Sequence, residues 1–224
     1  MTRLLMLVEG QSEEAFVKST LAPWLAERGV FVQGPTLLWT KRLAAGGGHR
    51  GGVGNWGQIR RHLMPLLGDS DAWVTTLLDF YGLPDDVPGA DLFEAPGPAH
   101  ERVQQMQEQI ASALGHAPRF IPFLALHEFE AWMFAGPAVV AAHFDHPPAA
   151  TKLAGEIPAP GGPEDINQGR DTHPKARLRR HFLSYKESSD GPTLLSKIGI
   201  PTVRAQCPHF AAWLGRLEAL GTPA

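Results

Sequence analysis

Five consecutive apolar residues, Leu4-Leu5-Met6-Leu7-Val8, stop abruptly at Glu9-Gly10-Gln11-Ser12-Glu13-Glu14. A run that is apolar at every position reads as a strand buried on both faces, as in a parallel sheet. The glycine turn after it opens a helix, with Ser12 predicted as the N-cap and acidic residues in the first turn. That helix carries Phe16, Val17, Leu21, Trp24 and Leu25 on one face and stops near Gly29. The unit then recurs. Val30 to Trp39 reads as a second strand, broken at Gly34-Pro35, and a helix passes through Ile59, Leu63, Leu66 and Leu67. Trp73 to Leu78 reads as a third strand that delivers Asp79, and Ala99 to Leu114 as a polar helix. Phe120 to Leu126 reads as a fourth strand ending at His127-Glu128-Phe129-Glu130. Strand and helix alternating four times predict an α/β fold: a parallel sheet with helices on both faces.

Residues 145–170 interrupt this pattern with Pro147-Pro148, Pro158, Pro160 and Gly161-Gly162-Pro163. They predict a loop-rich, Pro/Gly-rich insertion within a single domain spanning residues 1–224, not a linker. A basic helix follows, then Thr193 to Lys197, a short strand at Ile200 to Val203, and a closing helix from Phe210 to Leu220. With 43% hydrophobic residues, six Trp and eleven Phe, the chain has ample core material, and Phe16, Trp24, Phe129, Trp132 and Trp213 are assigned to it. The lone Cys207 excludes an internal disulfide framework and any Cys-based zinc knuckle. The first apolar run meets Glu9 too soon for a signal peptide or a membrane span. The expectation is a soluble cytoplasmic protein with no membrane partner; its oligomeric state is not readable.

The net charge of −3 gives no global reason to bind nucleic acid, but the charge is unevenly spread. From Arg170 to Lys186 six Lys/Arg face Asp171 alone, so this segment is +5 and the other 207 residues carry −8. A basic segment on an acidic body suits a face that meets phosphate, although a solvated helix face gives the same composition. Arg170, Arg177, Arg179 and Arg180 are the candidate phosphate contacts, joined by Arg50 in the glycine-rich loop at 46–54. That loop satisfies GxGxxG only through its glycine density and lacks the GK[ST] of a P-loop, so it reads as a flap, not a nucleotide site.

In a parallel α/β sheet, ligands bind beyond the carboxyl ends of the strands. Three strands end there in carboxylates: Glu9, Asp79, and Glu128 with Glu130. Glu13 lies one helical turn past Glu9 and faces the same way. Holding two carboxylates about 4 Å apart costs on the order of 4 kcal/mol at an effective dielectric near 20. A hard divalent cation offsets that repulsion, and all-oxygen ligation suits Mg²⁺ or Mn²⁺. Any one of these residues could be a helix cap; three at successive strand ends favour metal. Lys175 or Lys186 would then stabilise charge developing on phosphate. His127 and the Cys207-Pro208-His209 cluster read as structural, and no GxSxG nucleophile elbow is present.

Four blocks, in order, carry a resemblance to a known family. They are Val8-Glu9-Gly10-Gln11-Ser12-Glu13, Leu78-Asp79-Phe80-Tyr81-Gly82-Leu83-Pro84, His127-Glu128-Phe129-Glu130-Ala131, and Cys207-Pro208-His209-Phe210 with Trp213 and Leu217. Together they resemble the bacterial family called domain of unknown function 4276, grouped with Toprim-like proteins. The resemblance implies a Toprim-like Rossmannoid core, the module of topoisomerases, primases and overcoming-lysogenization-defect nucleases. In those, a glutamate after the first strand and an Asp-x-Asp after a later one bind Mg²⁺. Glu9 matches the first, Asp79 matches the leading aspartate, and Tyr81 stands at the second. Glu13 corresponds to the second glutamate of the nuclease branch; by position, Glu128 and Glu130 would supply the remaining ligand. The family's Pro-Ser-Lys-Arg-Leu run and Tyr-x-Lys become Pro174-Lys175-Ala176-Arg177-Leu178 and Tyr185-Lys186, with the lysine displaced by one position.

The expected function is therefore a Mg²⁺- or Mn²⁺-dependent nucleic-acid phosphodiesterase, an endonuclease acting on DNA in preference to RNA. The resemblance implies the nuclease half of a bacterial anti-phage defence pair with an ATPase partner. The alternative is a catalytically silent Toprim-like subunit that binds an ATPase and senses phage components; a third reading is a hydrolase of a small phosphate ester.

Overall fold

The computed structural model describes residues 1–38, 54–167, 169 and 171–222; Arg50, Arg170 and most of the glycine-rich loop lie outside them. The apolar run forms β1 (Thr2–Val8), inside a five-stranded parallel sheet. One side of it pairs with β2 (Val30–Leu37), the other with β3 (Ala72–Asp79). Beyond β3 lie β4 (Phe120–Ile121) and β5 (Leu124–Ala125), both paired to β3. Along β1, Leu4, Met6 and Val8 enter one core and Leu7 the other. That is why the run is apolar at every position.

The strand predicted at Phe120 to Leu126 is thus split in two. Pro122 has no N–H for the ladder, and threonine hydroxyls of β3 bridge the gap. Thr75 donates to the Ile121 carbonyl at 2.6 Å; Thr76 donates to the Phe123 carbonyl at 2.7 Å and accepts the Phe123 N–H at 2.8 Å. By contrast, β2 is not broken at Gly34-Pro35. It is an edge strand, where proline is tolerated, and the sequence irregularity appears as a register slip: Leu5 pairs with Gln33 but Leu7 with Thr36.

Helices α1 (Gln11–Phe16) and α2 (Ala22–Ala26), joined by a π-helical stretch at Val17–Leu21, return the chain from β1 to β2. The N-cap of α1 is Gly10, not the predicted Ser12: the helix starts two residues earlier, which puts Glu13 where its carboxylate takes the Gly10 N–H at 2.9 Å. α3 (Trp56–Leu67), capped by the Asn55 side chain on the Gln58 N–H, and α4 (Ala99–Ala113) complete the crossovers. On their face Leu7, Val74 and Leu78 pack against Ile59, Leu63, Val103 and Met106. On the other face Leu4, Met6, Val8 and Leu77 join Phe16, Phe129, Trp132, Phe210 and Trp213.

The chain after β5 is helical throughout its regular structure. α5 (Pro137–His143) and α6 (Ala149–Ala154) come first, so the predicted loop-rich segment contains a helix and also a 3₁₀ turn at Pro163–Asp165. Then come α7 (Pro174–His181), α8 (Glu187–Ile198), α9 (Ile200–Gln206) and α10 (Pro208–Ala219). The short strand predicted at Ile200 to Val203 is α9. Gly199 supplies a positive φ of 82°, and Pro201 in the first turn forfeits no helical hydrogen bond. Among the described residues no helix is long and apolar enough to cross a membrane.

Candidate functional site

Glu9 and Asp79 leave the carboxyl ends of the adjacent strands β1 and β3 and meet there. The Asp79 N–H donates to Glu9 Oε2 at 2.9 Å, while the Glu9 N–H continues the sheet to the Leu77 carbonyl at 3.1 Å. Asp79 Oδ1 accepts the Phe129 N–H at 2.9 Å, and the Tyr81 N–H donates to the His127 carbonyl at 2.9 Å. The end of β3 is therefore stitched to the segment after β5. His127 has a left-handed φ of 63°, which turns the chain into the 3₁₀ helix Phe129–Ala135 behind Glu128. Such a φ is uncommon outside glycine, and histidine is among the residues that adopt it more readily. Gly82 gives the Glu9 carboxylate room: a Cβ there would stand 2.7 Å from Glu9 Oε1 and push that side chain aside.

The remaining predicted carboxylates close around this pair. Glu13, Asp79, Glu128 and Glu130 are buried and Glu9 is half-buried. Burial, then the charge of Glu13, pushes Glu9 up to about 7. Burial also raises Glu13 against the amides bonded to it, with Glu187 adding to the rise. Asp79 is held well above the usual carboxylate range by burial and then by Glu9, Glu13, Glu130 and Glu128. Glu130 is raised the same way, by burial and Glu128, with Lys175 opposing. These mutual effects define one electrostatic cluster.

Lys175 is the cation that enters it. Burial alone would lower this ammonium, but Glu130, Glu128 and Glu187 outweigh burial and hold it above its ordinary value. Its Nζ lies 3.0 Å from Glu187 Oε1 and 3.7 Å from Glu130 Oε1. Glu128 sits at the N-terminus of α7, where one oxygen takes the Lys175 N–H and lies 3.0 Å from His173 Nδ1. The Tyr185 hydroxyl donates to Glu130 Oε1 at 3.2 Å, and burial with Glu130 pushes this phenol up. Sequence reasoning assigned no site role to Glu187, His173 or Tyr185. The signal available for Tyr185 was its place in the Tyr-x-Lys run.

The other predicted residues lie elsewhere. Lys186 is exposed at the start of α8, its N–H donated to Asp190 Oδ2 at 2.7 Å. Arg177 is turned inward to Glu156 at 2.6 Å and donates to the Thr172 carbonyl. Arg180 reaches Glu156 at 3.3 Å and the Asp171 carbonyl at 2.8 Å. Arg179 lies 3.9 Å from Glu187. Burial would raise Glu156, but the bonds from His181 and Arg177 outweigh it and hold the carboxyl low. The Cys207-Pro208-His209 cluster packs against β5: His209 Nε2 lies 2.8 Å from the Leu124 carbonyl, consistent with donation to it, and burial lowers the imidazole's affinity for a proton.

Among the described residues no group of three or more His, Cys, Asp or Glu side chains is disposed to hold a metal ion. The five carboxylates are therefore not a ready-made cage: Glu128 and Glu130 are turned to α7, Lys175 and Tyr185. Mg²⁺ rarely uses an all-protein cage. It binds through one or two carboxylates and keeps several waters. Glu9 with Asp79 fits that smaller, all-oxygen donor set.

The profile of the family described as Domain of unknown function (DUF4276) matches residues 8–218. No curated protein matches the sequence. Among solved structures, the C-terminal region of the Burkholderia pseudomallei OLD protein is similar at a TM-score of 0.46 and 15% identity, over 99% of this chain and 100% of that one.

Proposed function

The chain belongs to the DUF4276 family, and from that premise we propose that it is a Toprim-like, divalent-metal-dependent phosphodiesterase of nucleic acid, an endonuclease. The observation that carries this reading is the Glu9–Asp79 contact at the carboxyl ends of two adjacent parallel strands, inside a cluster of carboxylates that raise one another's pKa. Buried like charges at a sheet edge invite a counter-charge. Glu9 and Asp79 would hold Mg²⁺ or Mn²⁺, with Glu13 beside them. Such an ion, when bound, supplies charge neutralisation on a phosphoryl oxygen and an activated water.

The chain's own residues do the rest. Glu128 fixes the first turn of α7 through the Lys175 N–H, so the Lys175 ammonium stays on the carboxylate side of that helix. There it can meet a substrate phosphate. Arg179 and Arg180, each half-exposed, take phosphates farther along the strand, whereas Arg177 holds the helix to Glu156. DNA as the preferred substrate, a cytoplasmic setting and an ATPase partner in a defence system belong to the same proposal.

The test is cleavage of supercoiled plasmid and of RNA in Mg²⁺ or Mn²⁺ by wild type, Glu9→Gln and Asp79→Asn. Loss in both variants is the expected result; full activity in Glu9→Gln removes Glu9 from the mechanism. One observation favours a second reading, a silent binding subunit: Lys175 already supplies positive charge within the carboxylate cluster. Calorimetric titration with Mn²⁺ separates the two, since the silent subunit takes up no ion specifically.

A further inference from the structure

Tyr81 follows Asp79 by two residues, so the two backbones lie within about 7 Å of each other. Its surface is 46% exposed, although it belongs to the same turn as buried Phe80. The residue is nevertheless held firmly. Its N–H is bonded to His127, and its ring lies parallel to the His173 imidazole, with centroids 5.5 Å apart and 14° between the planes. His173 is itself fixed, because its Nδ1 lies 3.0 Å from Glu128 Oε1 and Glu128 also binds the Lys175 amide. A chain of contacts therefore runs from the ring of Tyr81 to the network around Lys175.

An aromatic ring left in water forgoes the stabilisation that burial would bring. Beside a centre read as cleaving phosphodiesters, a rigid, exposed ring has a use that follows from its shape: every nucleobase presents a flat π-face to it. Within a duplex both faces of each base are covered by its neighbours, so only an unpaired base can offer one. We propose that Tyr81, backed by His173, is a stacking platform for one unpaired base of the substrate, and that the substrate class is single-stranded nucleic acid or the single-stranded part of a larger molecule. This inference rests on the nuclease reading above and narrows it. The platform acts through its ring face, and the hydroxyl is dispensable.

The experiment titrates the full chain, in EDTA so that nothing is cleaved, into a short single-stranded oligonucleotide carrying a fluorescent adenine analogue, and into the duplex of the same sequence. Tyr81→Ala should weaken single-strand binding about five- to 150-fold, the range measured for loss of one base–aromatic stack. Tyr81→Phe should bind within about twofold of wild type, and the duplex should not distinguish the three proteins. Undiminished single-strand binding by Tyr81→Ala overturns the platform, as does a Tyr81→Phe variant as weak as Tyr81→Ala. If wild type cleaves in a Glu9-dependent manner while Tyr81→Ala binds normally, the platform alone falls. A wild type that neither binds nor cleaves any nucleic acid overturns both proposals.

Discussion

Glu9 and Glu164 are both pushed up to about 7, and in both the first cause is burial. Their surroundings differ in kind. Glu164 stands at the start of α10 with its oxygens taking the His209 N–H at 2.8 Å, the Phe210 N–H at 3.0 Å and the Trp132 indole N–H at 3.3 Å. It is a helix cap surrounded by donors. Glu9 has the Asp79 N–H for a partner and Glu13 for its strongest charged neighbour. A raised pKa therefore does not by itself mark a site. What marks Glu9 is that other carboxylates, and not hydrogen-bond donors, crowd it.

The comparison breaks most sharply on activity. Glu9→Gln should lower the cleavage rate at least about 100-fold, comparable to losing a group that acts only in the transition state. Glu164→Gln should leave cleavage within about threefold of wild type, because nothing around it is negative enough to hold an ion. Plasmid nicking by the two variants side by side is the measurement. Equal losses would mean that the crowding of carboxylates has no functional content.

Thermal unfolding with and without Mn²⁺ sharpens it next. An ion that binds only the folded chain at 100 times its dissociation constant stabilises by about 2.7 kcal/mol. For a chain of this size that raises Tm by roughly 5–11 °C. Wild type and Glu164→Gln should show the shift, and Glu9→Gln should not. A shift of equal size in Glu9→Gln would put the ion elsewhere in the molecule.

Without metal the two carboxylates should both matter to stability, and in the same direction. Each has a folded-state pKa near 7 against an ordinary value of 4.5, so between these values the folded chain binds the additional protons. Stability is then fullest below about pH 4.5 as far as these groups are concerned, and falls as pH rises through 7. Glu164→Gln should flatten its part of that fall. Glu164→Ala, which strips three donors of their acceptor, should cost about 1–3 kcal/mol at pH 5.5. Denaturant melts at pH 5.5 and 8 read both effects, and a wild type more stable at pH 8 than at pH 5.5 would contradict the assignment.

How far the sequence foretold this follows from which interactions are local. Leu4 to Val8 was legible because burial on both faces leaves an unbroken apolar run, and that run ends where the strand ends, at Glu9. Asp79 was legible for the same reason. Ile200 to Val203 misleads because three β-branched residues (Ile200, Thr202 and Val203) suggest a strand, while the helix start is set by Gly199 and Pro201 together. Ser12 misleads because the backbone turns at Gly10, and only the reach of Glu13 back to that N–H shows it. Glu187 and His173 carry no signal of their own, and Tyr185 only its place beside Lys186 in the family run. They come to the carboxylates through the packing of α7 and α8 against the 3₁₀ helix Phe129–Ala135, a tertiary event that spacing along the chain does not encode. The same packing brings Lys175 to the carboxylates and leaves Lys186 at the surface.

The smallest effects concern the basic helix, where three arginines of one composition divide into two roles. Arg177 is half-buried against Glu156, its side chain 14% exposed, whereas Arg179 and Arg180 are 56% and 51% exposed. An arginine whose guanidinium is both shielded from solvent and held by a carboxylate at 2.6 Å has little charge to offer a phosphate, whereas the looser, exposed pairs of Arg179 and Arg180 leave theirs accessible. Glu156, held low by its partners, would also be left short of a donor without Arg177. Arg177→Ala should therefore lower stability by about 1 kcal/mol or somewhat more and leave the salt dependence of oligonucleotide binding unchanged. Arg179→Ala should do the reverse: an unchanged melt, and a slope of log K against log salt concentration shallower by about 1. Should Arg177→Ala flatten the slope as much as Arg179→Ala does, the ion pair to Glu156 opens when nucleic acid binds, and the helix grips phosphate with both faces.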